Sequence, residues 1–572
     1  MSENMSAKAV STRQTPPSEL DEALKTLKEN SRTFRRLSFL DKANLLQSCI
    51  GRLHEISKRW VEHGTQAKRL APDQVAEEWL SGPLPTIRMA RLLVDSLERT
   101  HREGSPGIGK KTFTNAQGRL QAEVFPTSLI DTSLFTFFSG HVVFEEGVDL
   151  TKAKELQHTL LHPSHDGQVS VVLGAGNVSS IPPMDVFSVL FIDGRVACLK
   201  MNPVNEWLGP ILEHALAPLV SKGFLKIVYG GADTGKFLVE HKHCEHIHIT
   251  GSDKTHDLIV WGSNASKQNE RKRNNNPVLK VPITSELGNI SPVVMVPGHY
   301  SKKELLFQAK NVVTMLANNA SFNCNAAKLL VTSNTWKQRD AFFNLIEGFL
   351  SSMPSRFAYY PGASARYNTL TADRELRVFG TKDNGSLPWT LIKSIDPQNT
   401  SDPLFRQEPF CSILSEASFN ENDPTEFLET CTGFLNHTLW GTLNAAVVAP
   451  RHLTKQTFMK NALGKIVGKL KYGTVGINHW PAVGYGLGSL PWGGHPSSTL
   501  DNIQSGLGWV HNTYLLAGIE KSILKGPSYA FPKPVWFFDN KAAHKIGPKI
   551  VDMEAKPSWQ KVPKLASLAL RG

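Results

Sequence analysis

The sequence predicts an α/β protein built around a doubly wound parallel sheet, and three observations predict it. Short apolar runs at 169–173, 195–201, 224–229 and 246–249 alternate with helical stretches, at the spacing of roughly 30 residues that a strand plus crossover helix requires. Their ends carry Gly174-Ala175-Gly176-Asn177, Lys200, Gly230-Gly231 and Thr250-Gly251-Ser252, and ligands of such sheets bind at the carboxyl ends of the strands. A second α/β region begins after Pro277.

The elements follow in order. Residues 1–20 are polar, contain Pro16-Pro17 and read as a flexible lead-in. Leu46, Ile50, Leu53, Ile56 and Trp60 fall at helical spacing within 40–60, and further helix is expected over 76–79 and 87–97. Residues 105–109 read as a glycine-rich loop, and 120–145 as β-rich. In the first sheet, the helix after the second strand is well marked by Leu208, Ile211, Leu212, Ala215, Leu216 and Leu219 on one face. Beyond Pro277, helices are expected over 304–317, 339–350 and 456–464, with strands over 328–332, 441–448 and 473–478. Residues 381–399 read as turns, 483–494 as a glycine-rich loop, and the last segment as proline-broken with no domain pattern.

The bulk numbers exclude several classes. A chain of 572 residues has room for two or three domains. With 40% hydrophobic and 20% charged residues the mixture is globular, not disordered. The formal net charge is +12, but the basic residues are scattered and no nucleic-acid-binding module is recognisable, so nucleic acid is not an expected partner. Six cysteines without a Cys-x-x-Cys pair fit a reduced protein. No apolar run approaches the ~20 residues of a membrane span, and Met1-Ser2-Glu3-Asn4 lacks the start of a secretory signal. The expectation is a cytoplasmic protein without membrane contact.

Two clusters invite over-reading. His241, His243, Cys244, His246 and His248 are dense enough to suggest a metal, but they lack zinc-site spacing, and ordinary surface and core histidines are expected. Residues 267–273 are basic and precede Asn274-Asn275-Asn276, which reads as a solvated loop. Gly174 and Gly176 resemble the start of a dinucleotide fingerprint, but the third glycine is missing, and a tight strand-to-helix turn accounts for them equally well.

The chemistry centres on Cys324, which sits between the amide-rich Asn318-Asn319 approach and the apolar Leu329-Leu330-Val331 run. Upstream lies Glu286, a lone carboxylate in an apolar, glycine-bounded segment; downstream come Gln407-Glu408-Pro409-Phe410 and Pro491-Trp492-Gly493-Gly494. A cysteine nucleophile needs an oxyanion site and a base to turn over its covalent intermediate.

In their order, Asn177, Lys200, Thr250-Gly251-Ser252, Glu286-Leu287-Gly288, Cys324, Glu408-Pro409-Phe410 and Asn478 resemble the motifs of the aldehyde dehydrogenase superfamily, over about residues 40–515. The resemblance implies a Rossmann-type coenzyme domain, a related α/β catalytic domain and a bridging β-arm. Its boundaries would be 1–20 for the lead-in, 21–136 and 168–285 for the NAD(P)-binding domain, and 286–477 for the catalytic domain. The arm would take 137–167 and 478–525, with 526–572 as a tail. The tail's Val535-Trp536-Phe537-Phe538 and Trp559 are apolar enough to be expected against protein.

By the same resemblance Cys324 is the nucleophile, Glu286 the base and Asn177 an oxyanion donor. Lys200, Gly230, Gly231, Thr250, Gly251, Ser252, Glu408 and Phe410 would hold NAD or NADP. An aldehyde is the implied substrate, its carboxylic acid the product, and a homodimer or homotetramer the assembly. No metal is implied. The departures are Ala175-Gly176 in place of the family's Pro-Trp, Ser321-Phe322 before the cysteine, and Pro203 in place of a ribose-binding glutamate. The spacing from Cys324 to Lys328, and Asn289-Ile290-Ser291-Pro292-Val293-Val294, resemble the CoA-acylating branch. The alternatives are therefore a CoA-acylating enzyme and a non-catalytic scaffold of the same fold.

Overall fold

The computed structural model describes residues 13–572. A six-stranded sheet runs in spatial order Gly506–Leu507, Ile283–Leu287, His246–Gly251, Val169–Leu173, Val196–Lys200 and Leu225–Val228. All its pairings are parallel except that of the short Gly506–Leu507 edge strand. The four strands expected from sequence lie here, with their carboxyl ends at one edge of the sheet.

The second sheet has eleven strands. Its parallel centre is Ile519–Lys525, Thr474–Ile477, Asn444–Val448, Ser291–Met295, Ala327–Ser333, Ile413–Phe419 and Trp389–Ile395. Antiparallel strands extend both edges: Ser139–Phe144, Leu120–Phe125 and Lys111–Thr114 on one side, Arg377–Phe379 on the other. Apolar clusters cover both faces, which is why its central strands read as unbroken hydrophobic runs. The segments expected to form an arm, 137–167 and 478–525, supply Ser139–Phe144 and Ile519–Lys525, and both pair within this chain's own sheet.

The N-terminal helices pack on the smaller sheet. Phe39–Lys68 starts at a capping box, in which Ser38 and Asp41 satisfy each other's backbone, and ends at left-handed Arg69. Its buried stripe includes Leu46, Ile50, Leu53 and Trp60. Each such side chain contributes about 2 kcal/mol on burial.

Several expectations need correction. From Pro17 the expected lead-in is already helix, Pro17–Arg36, burying Leu20, Leu24, Leu27 and Phe34; residues 1–12 of that segment lie outside the described residues. The basic run is not a loop but the helix Ala265–Arg273, capped by Asn264 and with no buried residue. The turn-rich 381–399 contains the buried strand Trp389–Ile395. The glycine-rich 483–494 opens with the helix Ala482–Leu487, and a short helix, Leu129–Leu134, interrupts the β-rich 120–145.

The tail is ordered. It forms the helices Ala543–Ala555 and Val562–Ala569 and buries Phe537. Trp559, expected to be covered, stays 54% exposed. Its strongest anchor is ionic. Arg88, 3% exposed, donates twice to Asp131 (2.9 Å each), once to Glu554 (2.6 Å) and once to the Leu487 carbonyl (2.7 Å). Arg91 donates to the same Glu554 at 2.6 Å. Burial alone would raise the Asp131 carboxyl, but Arg88 draws it down to about 2.

Removing one member of a buried ionic cluster costs roughly 3–5 kcal/mol, because the remaining charges are left uncompensated. Glu554→Ala should therefore lower unfolding free energy by about 3 kcal/mol in a denaturant titration. A loss below ~1 kcal/mol would place the tail's anchor elsewhere. Since the Asp131 carboxyl is depressed, its contribution is complete above its unfolded value of about 4 and is lost as pH falls through about 2.

Candidate active site

The segment before Cys324 is strained. Asn319, Ala320 and Ser321 hold φ of 52°, 53° and 71°, a left-handed conformation that costs a non-glycine residue roughly 1–2 kcal/mol each. The surroundings enforce it. The Asn319 side-chain amide donates to the carbonyls of Asn177 (2.9 Å) and Phe322 (3.2 Å) and to Asn323 Oδ1 (3.1 Å). Its backbone N–H donates to Glu77 at 3.0 Å, and Glu77 is itself held by Arg356. Tyr359 donates to both Asn177 O (2.9 Å) and Asn319 Oδ1 (3.0 Å).

Lys328 locks the other side. It opens the strand Ala327–Ser333 and is 1% exposed. Its ammonium donates to Ser321 O (2.9 Å), the Ser321 hydroxyl and Cys411 O (3.0 Å). Burial draws it down to about 8. One buried cation thus ties the nucleophile loop to the turn that follows Glu408.

Cys324 is half-buried, and its thiol donates to Glu286 Oε1 at 3.4 Å. Ser291 (2.9 Å) and Asn444 (3.3 Å) hold its carbonyl, and its own backbone N–H faces its sulfur. Burial, then the charges of Glu286 and Glu408, push the thiol well above its ordinary value. Cys324 therefore rests as a thiol, and its sulfur becomes a strong nucleophile only where a base takes the proton.

Glu286 is the carboxyl placed against the thiol. It is 2% exposed, with Oε2 buried and without a partner. Burial and the nearby Asp185 raise its carboxyl to about 7, against the opposing pull of Trp492, Cys324 and His248. It is thus poised to exchange protons near neutrality.

Asn177 lies beside the nucleophile loop, 7% exposed, and donates to Phe322 O at 2.9 Å. One of its two N–H groups is engaged there, and the amide stands two residues from Cys324 along the loop.

The expected coenzyme residues cluster at the strand ends. The Lys200 ammonium is drawn down to about 8 by burial, with Glu206 working the other way. Gly176 must lack a side chain, since a Cβ would stand 2.6 Å from Asn202 Oδ1. Gly230 and Gly231 precede the helix Ala232–Val239, and Gly231 faces open space. Ser252 caps the helix Asp253–Trp261, and Gly251 is exposed beside it. The Thr250 hydroxyl turns inward and donates to Asp185 at 2.9 Å, so only its backbone remains on the cleft side.

Glu408 folds against Gly288, where a Cβ would stand 2.1 Å from its Oε2. Its Oε1 is buried without a partner. Burial raises this carboxyl to about 7, opposed by Lys328, the Asn289 N–H and Arg366. Phe410, at φ 43°, packs on Tyr360 and Phe322, and Arg366 braces its carbonyl at 3.2 Å. Asn478 is structural: its side chain accepts from the Ala449 N–H at 2.9 Å.

Sequence reasoning passed over Asp185, Lys328, Asn319, Tyr359 and Glu77 as parts of this centre. Two had a signal: Asp185 is the lone charge in the otherwise apolar helix Ile181–Phe187, and Lys328 the lone charge opening an apolar strand. The histidine cluster disperses. His241 pairs with Asp21 (3.1 Å), His246 with Ser170 (2.8 Å), and His248 with Thr284 (2.9 Å).

No family model matches the chain, and no curated protein does. Solved structures do. The NADP complex of an NADP-dependent glyceraldehyde-3-phosphate dehydrogenase from Bacillus halodurans C-125 is 16% identical with a TM-score of 0.59, over 89% of this chain and 92% of that one. An aldehyde dehydrogenase from Mycobacterium tuberculosis complexed with NAD+ is 13% identical with a TM-score of 0.58, over 89% and 91%. An apo betaine aldehyde dehydrogenase from Staphylococcus aureus is 12% identical with a TM-score of 0.59, over 89% and 88%. At such identities the likeness speaks to architecture alone: this chain has the fold of the aldehyde dehydrogenases.

Proposed function

We propose that the chain is an NAD(P)-dependent aldehyde dehydrogenase that releases a carboxylic acid. The observation that carries this reading is the 3.4 Å contact between the Cys324 thiol and Glu286, a buried carboxyl raised to about 7.

Glu286 takes the thiol proton, and the Cys324 sulfur attacks the aldehyde carbon to give a thiohemiacetal. The Cys324 backbone N–H and the second Asn177 N–H are the available donors for the oxygen charge; losing one such donor costs about 3 kcal/mol of barrier. The residues present fit a nicotinamide coenzyme: Lys200 is a cation at a strand end, Gly176 permits close approach, and Glu408 Oε1 is an unpaired acceptor. Such a coenzyme supplies the hydride acceptor. Glu286, having released the thiol proton to solvent, then deprotonates a water for hydrolysis of the Cys324 thioester.

The CoA-acylating alternative draws on the spacing around Cys324. The buried base favours hydrolysis, because a thiol acceptor such as coenzyme A needs little help to attack a thioester.

Cys324→Ala should abolish dehydrogenase activity while coenzyme binding persists. Glu286→Gln should slow the first-turnover burst of reduced coenzyme, because the thiol loses its base, and then stall as the acyl-enzyme, with steady-state turnover down by ~10²-fold or more. Stopped-flow absorbance measures both. Faster release of acyl-CoA than of acid, with both acceptors offered to the wild type, would overturn the hydrolytic reading.

Glu286 acts as a base only when ionised. The deacylation rate should therefore rise with pH through about 7 and fall below it. A flat profile from pH 5 to 8, roughly the range over which such a carboxyl titrates, would remove Glu286 from the hydrolytic step.

Pro203 stands where the resemblance expects a carboxylate against the ribose, so nothing at that position repels a 2′-phosphate. NADP should be accepted at a rate comparable with NAD in steady-state assays. A preference for NAD above ~10²-fold would mean that another carboxylate, Glu206 foremost, discriminates instead.

A further inference from the structure

The strand His246–Gly251 pairs in parallel with Ile283–Leu287, His248 opposite Thr284 and Thr250 opposite Glu286. Side chains alternate along a strand, so these four share one face of the sheet. The fully buried helix Ile181–Phe187 brings Asp185 to the same group. Asp185 Oδ2 accepts from the Thr250 hydroxyl at 2.9 Å and lies 3.5 Å from His248 Nε2. His248 Nδ1 meets the Thr284 hydroxyl at 2.9 Å. Asp185 Oδ1 and Glu286 Oε2 are both buried without partners.

We propose that Asp185, held by Thr250 and paired with His248, is a positioning residue that sets the protonation of Glu286 from behind the active site. The proposal deepens the hydrolytic reading and rests on it. Asp185 disfavours a second negative charge on Glu286, while His248 as a cation relieves it, so the pair acts on the base with opposite signs. Burial opposes the charge on His248, but Asp185 beside it raises the imidazole overall.

The other groups facing this cluster leave the pair in control. Burial raises the Tyr485 phenol well above its usual range and lowers His511 to about 3, so both stay neutral. Cys324 rests as a thiol. Burial also raises Asp193, with Arg195 and His248 opposing it.

The test is an infrared pH titration of the full-length chain, following the buried protonated carboxyl band that Glu286→Gln abolishes, beside the pH profile of deacylation. Asp185→Asn should move the Glu286 midpoint down by about one pH unit, and His248→Gln should move it up. A residue that merely fills space would move neither, or both the same way, and either result overturns the proposal. Should one variant fail to fold, the sign of the shift in the other decides alone. The infrared midpoint is read without turnover. If Glu286→Gln fails to stall the acyl-enzyme, the hydrolytic reading falls while the titration still reports on the pair.

Discussion

The active site depends on a single buried cation. Lys328 lies inside the eleven-stranded sheet with no carboxylate bonded to it among the described residues, its ammonium satisfied by two backbone carbonyls and a hydroxyl. A bare charge there would cost several kcal/mol, and the lowering of Lys328 to about 8 records that cost. In exchange the ammonium holds Ser321 left-handed and fixes the turn at Cys411. The strain of Asn319, Ala320 and Ser321, roughly 3–6 kcal/mol together, persists only because the lysine on one side and the Asn319 amide on the other leave no alternative. That conformation presents the Cys324 sulfur to Glu286.

The same loop joins the two sheets. Asn177, at the end of a coenzyme-side strand, and Glu77, on an N-terminal helix, both bond to it. Glu408 closes over Gly288 from the catalytic side. The cleft is therefore built from three contributions, Glu77, Asn177 and Glu408, that are distant in sequence. Its electrostatics follow from this crowding: burial, helped by Asp185 at Glu286 and by Asp253 at Glu408, brings both carboxyls to about 7. Such carboxyls can change protonation near neutrality, whereas an exposed glutamate stays ionised.

Far from the cleft, Arg88 solves a comparable problem in the opposite way. There the buried cation is balanced by two carboxylates, Asp131 and Glu554, and the result is an anchor for the tail rather than a tunable group. The difference lies in pairing. A charge-balanced cluster resists titration, while Lys328 and Glu286, lacking matched partners, are shifted towards neutrality.

Periodicity alone determined much of this protein. Alternation of strand and helix at 169–251 predicted the parallel sheet, and the apolar stripe from Leu46 to Trp60 predicted its helix, because both patterns reflect local geometry. The order of Asn177, Glu286, Cys324 and Glu408 marked groups that the fold brings to one cleft. Tertiary structure decided the rest. Trp389–Ile395 is a strand because the sheet accepts it, although its sequence neighbourhood is full of turn formers. The basic run at 267–273 is helical without burying anything, so hydrophobic pattern held no trace of it. His248 looked like a metal ligand or a bystander until the register placed it beside Asp185. Lys328 stood out in the sequence only for its spacing from Cys324. Their roles arise from partners distant in sequence, and only packing brings such partners into contact.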